Sequence, residues 1–364
     1  MVKSIVLVVT ALACQAQPLR LAIAGLEHGH VSGFLDRAVR NAGVRIVGVY
    51  DSDPALTAKY ARQYHLADQV IFNDLSRMLD NTKPEAVATF TSTFDHAGVV
   101  EACAQRRIAV MMEKPLAVSV AQARAIQQAA ARSGIPVIVN YETTWYRSHA
   151  ELWKLIHDQK AAGDIRKMVA MDGHEGPKEI NVQPEFLRWL TDPEKNGAGA
   201  LFDFGCYGAN LMTWLLDNQR PVKVTALAQT NKPAIYARVD DEATILLEYP
   251  KAQGIIQASW NWPFGRKDLE VYGERGYAIA TGGASLKVRL PGQKAEEPRA
   301  LPELPPEQQD SISYLTGVAR GRIKPTGLSS LENNLIVTEI LEAARESVRR
   351  AATIALDQNG PKPH

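Results

Sequence analysis

Short runs of β-branched and other apolar residues alternate with helical stretches from residue 19 onward, and this rhythm limits the fold more than any other feature. Helices are predicted to begin near Val31, Pro54, Asp95 and Ser119, each after a turn or capping residue. The strands between them have the sequences LRLAIAG, VRIVGVYD, AVATFT, IAVMMEKP and PVIVNY. Since helical segments separate the strands, the pattern predicts a parallel, doubly wound α/β sheet.

The rhythm changes after about Tyr141. Helices are predicted from Arg147 to Asp158, near Tyr207 to Leu216, and around Ser330 to Ala352. Between them, alternating apolar and polar residues predict longer strands with the sequences KMVAMDGHE, VKVTALAQT, DEATILLEY, GIIQASWNW, LEVYGERGYAIAT and LKVRL. Such alternation is typical of sheets with one solvated face, so a mostly antiparallel open sheet is expected.

The length of the chain, 364 residues, is too great for one typical hydrophobic core, so two domains are expected. We place a Rossmann-like domain at residues 18–143, a second α/β domain at 144–352, and a flexible tail at 353–364. The formal net charge is +1, and no basic stripe is interleaved with aromatic residues. Charge therefore gives no reason to expect binding to nucleic acid or an anionic membrane, and a small molecule is the expected partner.

Residues 1–17 have the pattern of a secretory signal peptide. Lys3 precedes an apolar run from Ile5 to Ala13, which ends in small residues suited to signal peptidase. The run is too short to span a bilayer, and no later segment approaches 18 uninterrupted apolar residues. We therefore expect an exported, periplasmic or secreted protein without a transmembrane segment. Cys14 gives a weak case for a lipid anchor, and a frayed first strand is the alternative interpretation.

The first predicted strand ends in AGLEHGHVSGF, which places Gly25, Gly29 and Gly33 at the junction with a helix. Amide groups and the helix dipole at such a junction can hold a pyrophosphate. The spacing departs from GxGxxG, because Glu27 and His30 stand at the second and third glycine positions. Taken alone, the segment is equally well interpreted as a tight turn without a ligand.

Asp51 favours the dinucleotide interpretation. It ends the second strand, 26 residues after Gly25, where a carboxylate would accept hydrogen bonds from the adenosine ribose. A carboxylate would repel a 2′-phosphate, and no Arg or Lys follows within the next turn, so NAD is favoured over NADP. The alternative is a helix N-cap, which suits Asp53 better and which Asp51 could share.

The fifth strand ends in MMEKPL, which places Glu113 and Lys114 at the carboxyl edge of the sheet, where ligands of open α/β sheets bind. The alternative interpretation is that Lys114 is an ordinary solvated lysine on the surface. With the upstream His96 and the Rossmann-like first strand, this EKP segment resembles the glucose-fructose oxidoreductase and inositol dehydrogenase family, Gfo/Idh/MocA. The resemblance covers nearly the whole mature chain. In that family the lysine contacts the nicotinamide and the substrate hydroxyl, a role that the resemblance assigns to Lys114.

A second segment, GAGALFDFGCYGAN, resembles the family's glycine-rich turn and DxGxH motif, with Asp203, Gly205 and Tyr207 at the motif positions. Tyrosine in place of the more usual histidine is similar to the glucose-fructose oxidoreductase and dihydrodiol dehydrogenase branches. The i, i+4 spacing puts Asp203 and Tyr207 on one helix face.

These residues suggest catalytic roles, because hydride leaves a carbinol carbon only as its hydroxyl loses a proton. Tyr207 is the predicted general acid/base, with a pKa lowered from about 10 by a nearby lysine ammonium. Lys114 would stabilise the developing alkoxide, and Asp203 would orient the substrate hydroxyl or Lys114. A tyrosine that only fills the core is the alternative for Tyr207.

The segment VNYETTWYRSH places Asn140, Tyr141, Trp145 and Arg147 where the two domains should meet. Polar groups beside aromatic faces suit a sugar, so these four are the predicted substrate ligands, although each by itself is commonly structural. The predicted cofactor-binding residues are Gly25, Glu27, His28, Gly29, His30, Asp51, Thr91, His96, Glu113 and Lys114. No metal site is predicted, because the two histidines of HGH flank a glycine in the phosphate-binding turn and no carboxylate has metal spacing to them.

The sequence thus predicts an NAD-dependent oxidoreductase that transfers hydride between the cofactor and a CH–OH carbon of a sugar or polyol. Free NAD is not abundant outside the cytoplasm, so an exported enzyme should hold its cofactor tightly. A redox-neutral, NAD-dependent glycoside hydrolase meets the same requirement, and the resembled family includes exported enzymes of that kind. A non-catalytic sugar- or cofactor-binding protein is the third alternative. A homo-oligomer formed through the C-terminal sheet is also expected.

Overall fold

The computed structural model describes residues 17–358. The predicted signal peptide, apart from Gln17, and the last six residues of the predicted tail lie outside this range. The first part of the chain forms strands β1 Leu19–Ala24, β2 Val44–Tyr50, β3 Ile71–Phe72, β4 Ala86–Thr89, β5 Ala109–Glu113 and β6 Val137–Asn140. Its helices are α1 Val31–Ala38, α2 Pro54–Tyr64, α3 Leu75–Thr82, α4 His96–Ala104 and α5 Val120–Ser133.

The six strands form one parallel sheet in the order β3-β2-β1-β4-β5-β6, which confirms the predicted doubly wound fold. Two of the four predicted helix starts have a side-chain cap: Asp53 accepts a hydrogen bond from the amide of Ala55, and Ser119 from that of Gln122. Helices α1 and α4 have no such cap. The sequence pattern missed β3 and α3. β3 is only two residues long, too short to show alternation.

The second part of the chain adds helices α6 Arg147–Trp153, α7 Pro184–Leu190, α8 Pro193–Asn196, α9 Ala200–Asp203, α10 Gly205–Leu215, α11 Ser311–Ala319 and α12 Leu331–Arg350. Its strands are β7 Ile165–Gly173, β8 Lys223–Gln229, β9 Glu242–Glu248, β10 Gln253–Ser259, β11 Arg266–Gly273, β12 Tyr277–Thr281, β13 Ser285–Arg289, β14 Glu297–Pro298 and β15 Ile354–Ala355. They form a nine-stranded sheet in the order β14-β13-β12-β11-β7-β10-β9-β8-β15. All its pairs are antiparallel except β7 with β10, so the predicted mostly antiparallel sheet is confirmed.

Three details differ from the sequence-based expectation. The segment LEVYGERGYAIAT was predicted as one strand and is a hairpin of β11 and β12. The expected tail from residue 353 begins instead as an edge strand, because Ile354 and Ala355 pair with β8. The predicted helix from Arg147 ends its α-helical part at Trp153 and continues as a π-helical turn over Lys154–Asp158.

Helix α11, which lies within the predicted second domain, packs against the first sheet. Ile312, Leu315 and Val318 of α11 are buried in the same hydrophobic cluster as Leu19 and Ala86 of the parallel sheet. In the second domain, α10 and α12 pack on each other, α10 against β7 and β10, and α12 against β8. No helix within residues 17–358 is long and apolar enough to span a bilayer.

Candidate active site

The carboxyl ends of the parallel strands bring several predicted site residues to one edge of the sheet. The strand order reverses direction between β1 and β4, and ligands of doubly wound sheets bind in the crevice at such a switch point. Gly25 follows β1, and Thr91 lies just beyond β4. Glu113 at the end of β5 is in register with Asn140 at the end of β6. The topology therefore provides the cleft that a dinucleotide requires.

Gly25 is positioned by a close approach between two chain segments. Its φ is +85°, and a Cβ at this position would lie 2.5 Å from Cγ2 and 2.7 Å from the amide nitrogen of Thr91. A side chain is thus excluded both by the backbone conformation and by contact with the segment after β4. The glycine lets the turn after β1 lie directly over the switch point.

We expect Gly25→Ala to lower the free energy of unfolding by about 1–3 kcal/mol, because the variant must adopt a strained conformation and displace Thr91. Gly98→Ala is the matched control, since Gly98 lies within α4 and a Cβ there would meet nothing within 4 Å. The control should be neutral or slightly stabilising. Urea unfolding of both variants measures the difference, and equal stabilities would contradict the close approach at Gly25.

The turn after Gly25 is held mainly by hydrogen bonds within the protein. The amide of Leu26 donates to Asp51 Oδ2 (2.7 Å), that of His28 to the carbonyl of Phe90 (3.0 Å), and that of His30 to His28 Nδ1 (3.1 Å). We predicted from the sequence that bare amides of this turn would face a pyrophosphate. The amide of Val31, the first residue of α1, also donates to the carbonyl of His28 (3.1 Å). The donors of the first turn of α1 that suit an anion are therefore the amides of Ser32 and Gly33.

Asp51 lies where the sequence placed it, at the end of β2 and close to the glycine turn. Its Oδ1 accepts from the amide of Asp53 at 2.8 Å, and its Oδ2 from that of Leu26. Burial raises its pKa, although these two amide hydrogen bonds oppose the shift. Each carboxylate oxygen can accept a further hydrogen bond, so Asp51 can hold the turn and still accept from a ribose hydroxyl.

Helix α7 of the second domain covers the glycine turn. The indole nitrogen of Trp189 donates to the carbonyl of Glu27 at 3.2 Å, and the ring of Phe186 lies 4.6 Å from the ring of His28. Burial lowers the pKa of His28 well below its usual range, so the ring is neutral. The cleft thus has walls from both domains.

Glu113 is buried at the end of β5 between two of the predicted ligands. It accepts from Asn140 Nδ2 (2.8 Å) and contacts His30 Nδ1 (3.0 Å). Burial alone would raise its pKa, but His30 and the hydrogen bonds outweigh burial and lower the pKa to about 2. Glu113 is therefore an anion at neutral pH.

His28, His30 and Glu113 bring possible metal-ligating atoms within 4.8 Å of one another. The expectation that no carboxylate partners these histidines is wrong, because the fold brings Glu113 from β5 into contact with His30. His96 is buried nearby, and Nδ1 lies 3.2 Å from the carbonyl of Leu116. Burial lowers the pKa of His96 to about 4, so it too is neutral.

Lys114 and Asp203 form a buried ion pair where the domains meet. Lys114 Nζ lies 2.5 Å from Asp203 Oδ1, and the two residues are 5% and 6% exposed. Trp260 Nε1 donates to Asp203 Oδ2 at 3.0 Å. Burial would raise the pKa of Asp203, but Lys114 outweighs it and lowers the pKa to about 2. Burial would lower the pKa of Lys114, but Asp203 raises it. Both groups are thus charged at neutral pH.

The turn that carries Asp203 depends on Gly199. A Cβ at Gly199 would lie 1.8 Å from the carbonyl oxygen of Asp240, so the glycine permits close packing against that residue. The carboxylate of Asp240 accepts from the amides of Gly199 (2.8 Å) and Leu201 (2.7 Å). This anchor fixes the start of α9 and hence the position of Asp203 at its end.

Tyr207 lies in α10, whereas Asp203 ends α9, so the two are not on one continuous helix as predicted. The electrostatics of Tyr207 also differ from the prediction. Its ring centroid lies 5.2 Å from Lys114 Nζ and 4.8 Å from Lys267 Nζ, and the residue is 2% exposed. We expected the lysine ammonium to lower the pKa of the phenol. Burial instead raises this pKa well above its usual 10, and the nearby carboxylate of Glu142 adds to the shift. Tyr207 is thus a neutral phenol at pH 7.

The structure brings some of the predicted substrate residues close to Lys114, Asp203 and Tyr207 and leaves the others apart. Tyr141 packs edge-on against Tyr207 with 5.5 Å between ring centroids. Asn140 reaches Glu113, whereas Trp145 donates to Asn140 and packs against Tyr314, on the side facing α11. Arg147 forms an ion pair with Glu303 on the surface, outside the group.

Two sequence profiles match this chain. Residues 19–141 match the oxidoreductase family, NAD-binding Rossmann fold. Residues 149–279 match the GFO/IDH/MocA C-terminal domain. The chain belongs to the Gfo/Idh/MocA family. The family expected from EKP and DxGxY is thus confirmed, as is the Rossmann-type, NAD-binding class of the first domain.

Relatives of this Gfo/Idh/MocA protein include a trans-1,2-dihydrobenzene-1,2-diol dehydrogenase of Macaca fuscata fuscata, which is 24% identical over 87% of this chain and 98% of the relative. The enzyme of that name from Xenopus laevis is 30% identical over 45% of this chain and 46% of the relative. An inositol dehydrogenase homolog from Azotobacter vinelandii, complexed with NAD+, has a TM-score of 0.80 at 20% identity and covers 94% of this chain and 98% of its own. The aldose-aldose oxidoreductase from Caulobacter crescentus, complexed with glycerol, has a TM-score of 0.77 at 22% identity. The match covers 93% of this chain and 100% of that structure's chain. These two structures share the fold.

Sequence reasoning missed several polar residues around Tyr207. Lys267 and Met171 line a cavity of about 1010 Å³ that also includes His174 and Phe204. Lys267 contacts Glu142, and Asp172 is buried on the strand next to Lys267. The sequence did contain a signal for these two residues. Strand alternation assigns both Asp172 and Lys267 to the buried face of their strands, and an unpaired charge is rare on a buried face.

Proposed function

We propose that this protein is an NAD-dependent oxidoreductase that acts on a CH–OH group of a sugar or polyol. The observation that carries the proposal is the buried, charged Lys114–Asp203 pair beside the neutral phenol of Tyr207, at the switch-point edge of a Rossmann sheet. A lysine and a carboxylate buried together at a cleft are typical of a catalytic site.

NAD would be held by the first turn of α1, by Asp51, and by the walls that Glu113 and α7 form. When bound, NAD would supply the acceptor for hydride. The protein's own groups then handle the proton and the charge. Lys114 stabilises negative charge on the reacting oxygen, and Asp203 keeps Lys114 charged and oriented. Tyr207 exchanges the proton with that oxygen. Since burial raises the pKa of Tyr207, the group is a phenol at neutral pH, and accepting a proton from an alcohol requires its phenolate form.

The substrate class is supported by relatives and by the cavity. Inositol, aldose and diol substrates are named for the similar proteins, and one related structure contains myo-inositol. In this chain a cavity that reaches Lys267, whose Nζ lies 4.8 Å from the Tyr207 ring centroid, is lined by both aromatic and polar side chains, including Tyr146, Trp262 and Gln257. Aromatic faces beside hydrogen-bonding groups suit a polyhydroxylated ring.

The test is to add NAD+ or NADP+ to the full-length protein, measure binding by calorimetry, and then follow reduced nicotinamide as sugars and polyols are added. We expect NAD+ to bind more tightly than NADP+, because Asp51 would repel a 2′-phosphate, and at least one polyol to reduce it. Binding of neither cofactor would overturn the proposal. Cleavage of p-nitrophenyl glycosides with the cofactor recovered oxidised would instead identify a redox-neutral glycoside hydrolase.

We also propose that the protein is exported and retains its cofactor. The pattern from Lys3 to Ala13 supports export, and the cover of α7 over the glycine turn supports retention. N-terminal sequencing of protein from the native host should show a chain that begins near Cys14 or Gln17. An intact Met1 on protein from the cytoplasmic fraction would contradict export.

A further inference from the structure

Lys267 is a second lysine beside the ring of Tyr207, and the proposed reaction does not use it. Its Nζ lies 4.8 Å from the ring centroid, closer than that of Lys114 at 5.2 Å. The charge of Lys114 is balanced by Asp203, with which it is buried. The charge of Lys267 is therefore a separate influence on the proton of Tyr207.

The fold holds Lys267 in this position from two sides. Its backbone is fixed on β11 by the antiparallel register with β7. Its ammonium forms an ion pair with Glu142, which also accepts a hydrogen bond from the hydroxyl of Tyr146 at 2.6 Å. Glu142 directly follows Tyr141, whose ring packs on Tyr207. The ion pair of Lys267 and Glu142 thus lies beside the predicted acid/base.

The two members of this ion pair act on Tyr207 in opposite directions. An ammonium favours the phenolate form, whereas a carboxylate favours the phenol. Burial is the main cause of the raised pKa of Tyr207, and the carboxylate of Glu142 is the largest cause after burial. The side chain of Lys267 is 21% exposed and that of Glu142 is 50% exposed, so solvent screens the carboxylate more strongly. Lys267 therefore opposes Glu142 from the less screened position.

Burial favours the neutral form of four other ionisable groups in the neighbourhood of Tyr207. They are Tyr141 after β6, Cys206 on α10, Asp172 on β7 and His174 just beyond β7. Burial raises the pKa of Cys206 to about 12 and that of Tyr141 well above 10. It raises the pKa of Asp172 well above its usual range and lowers the pKa of His174. These groups add little charge at neutral pH.

The remaining charged groups near Tyr207 belong to pairs already described. These pairs are Lys114 with Asp203 and His30 with Glu113. Opposite charges that lie this close together largely cancel at a third group. The ion pair of Lys267 and Glu142 is thus the part of the charged surroundings that the proposed reaction leaves without a role.

We infer that Lys267 is a positioning residue for the proposed reaction, which holds positive charge at the ring of Tyr207 and so favours the phenolate that accepts the proton of the alcohol. Glu142 keeps Lys267 in place, while its own charge favours the phenol. This inference rests on the proposed function. It adds an ion pair that sets how readily Tyr207 exchanges its proton, without itself carrying that proton.

The test measures kcat/KM for alcohol oxidation at neutral and alkaline pH, using NAD+, the full-length protein and the most active of glucose, myo-inositol and the cyclohexanediols. Lys267→Met should lower kcat/KM by roughly 3-fold to 30-fold, because the charge of Glu142 then acts on Tyr207 unopposed. A given rate should accordingly be reached only at a higher pH.

Glu142→Gln should have the opposite effect and raise kcat/KM by roughly 2-fold to 10-fold at neutral pH, because the charge that favours the phenol is gone. Its amide oxygen can still accept hydrogen bonds from Lys267 and Tyr146, so the lysine stays in place. The opposite signs are the decisive readout, since a purely structural role would make both variants slower.

Two control variants separate charge from shape. Lys267→Arg keeps the positive charge, so it should recover most of the activity that Lys267→Met loses. Lys167→Met removes an exposed positive charge from the other end of β7 and should leave kcat/KM and its pH dependence as in the parent. A Lys267→Arg variant as slow as Lys267→Met would contradict a role for the charge.

The outcomes also separate this inference from the proposed function. Reduction of NAD+ by none of the sugars and polyols would overturn both. Activity in the parent that Lys267→Met leaves unchanged would overturn the inference alone. If Lys267→Met does not fold, Glu142→Gln decides, because its side chain is half-exposed and its replacement is isosteric. A folded Glu142→Gln protein with kcat/KM at or below that of the parent would be equally decisive against the inference.

Discussion

Lys114→Met should abolish most of the turnover and also destabilise the fold. The variant leaves the carboxylate of Asp203 buried without its counter-charge, and breaking a buried pair in this way costs about 3–5 kcal/mol. Turnover should fall by at least 10² to 10³, about the worth of one donor to a developing oxyanion. Urea unfolding and the rate of NADH formation measure the two effects separately.

The double variant Lys114→Met/Asp203→Asn distinguishes the two losses. Removing both charges should restore much of the stability, because no charge is left unpaired, while turnover stays low. Lys223→Met is the matched surface control, since Lys223 and Glu248 form an exposed pair and should contribute less than about 1 kcal/mol. A Lys114→Met protein as stable as the parent would show that the pair is not buried and charged.

Tyr207→Phe should lower turnover by about 10² to 10⁴ while NAD affinity and thermal stability change little. The ring and its packing against Tyr141 remain, and only the proton-bearing oxygen is removed. Tyr249→Phe is the control, because Tyr249 is a buried tyrosine of the same domain beyond the last residue of β9.

The pH dependence provides a second readout for Tyr207. Its pKa is raised above 10, so the phenolate needed to take a proton from an alcohol becomes more populated as the pH rises. Alcohol oxidation by the parent should therefore accelerate with pH through the neutral and alkaline range, whereas carbonyl reduction, which uses the phenol, should not. The Phe variant should lose that acceleration. If it kept near-normal turnover on a substrate that the Lys114 variant could not use, Lys114 would be the better candidate for the base.

The parts of the site that the sequence predicted are those set by local pattern. Gly25, Glu113 and Lys114 could be placed because each follows an apolar run, and the ends of parallel strands meet at one edge. Asp203 and Tyr207 could be placed together because they are four residues apart in one motif. The Gfo/Idh/MocA motifs reinforced both placements, and the fold followed from the periodicity.

The rest depends on contacts between residues distant in sequence. Lys267 and Asp172 meet only through the register of β11 with β7, and no local pattern specifies that register. The expected lowering of the Tyr207 pKa was wrong for a related reason. The charge of Lys114 could be anticipated, but the complete burial that outweighs it is a property of the packed domains. Arg147, the first residue of α6, pairs with Glu303 because the direction of a side chain at a helix end is likewise set by tertiary contacts.

The return of α11 to the first sheet has a consequence for synthesis of the chain. Part of the surface of β4 and β5 is covered by α11, whose Ile312 and Leu315 complete the cluster containing Ala86 and Ala109. A nascent chain that has emerged only as far as β6 would therefore leave this apolar surface open to water and to other chains. Incomplete domains with exposed apolar surface and long-range contacts fold slowly and aggregate. We expect the Rossmann sheet to reach its native stability only after residue 318 has left the ribosome, late in translation.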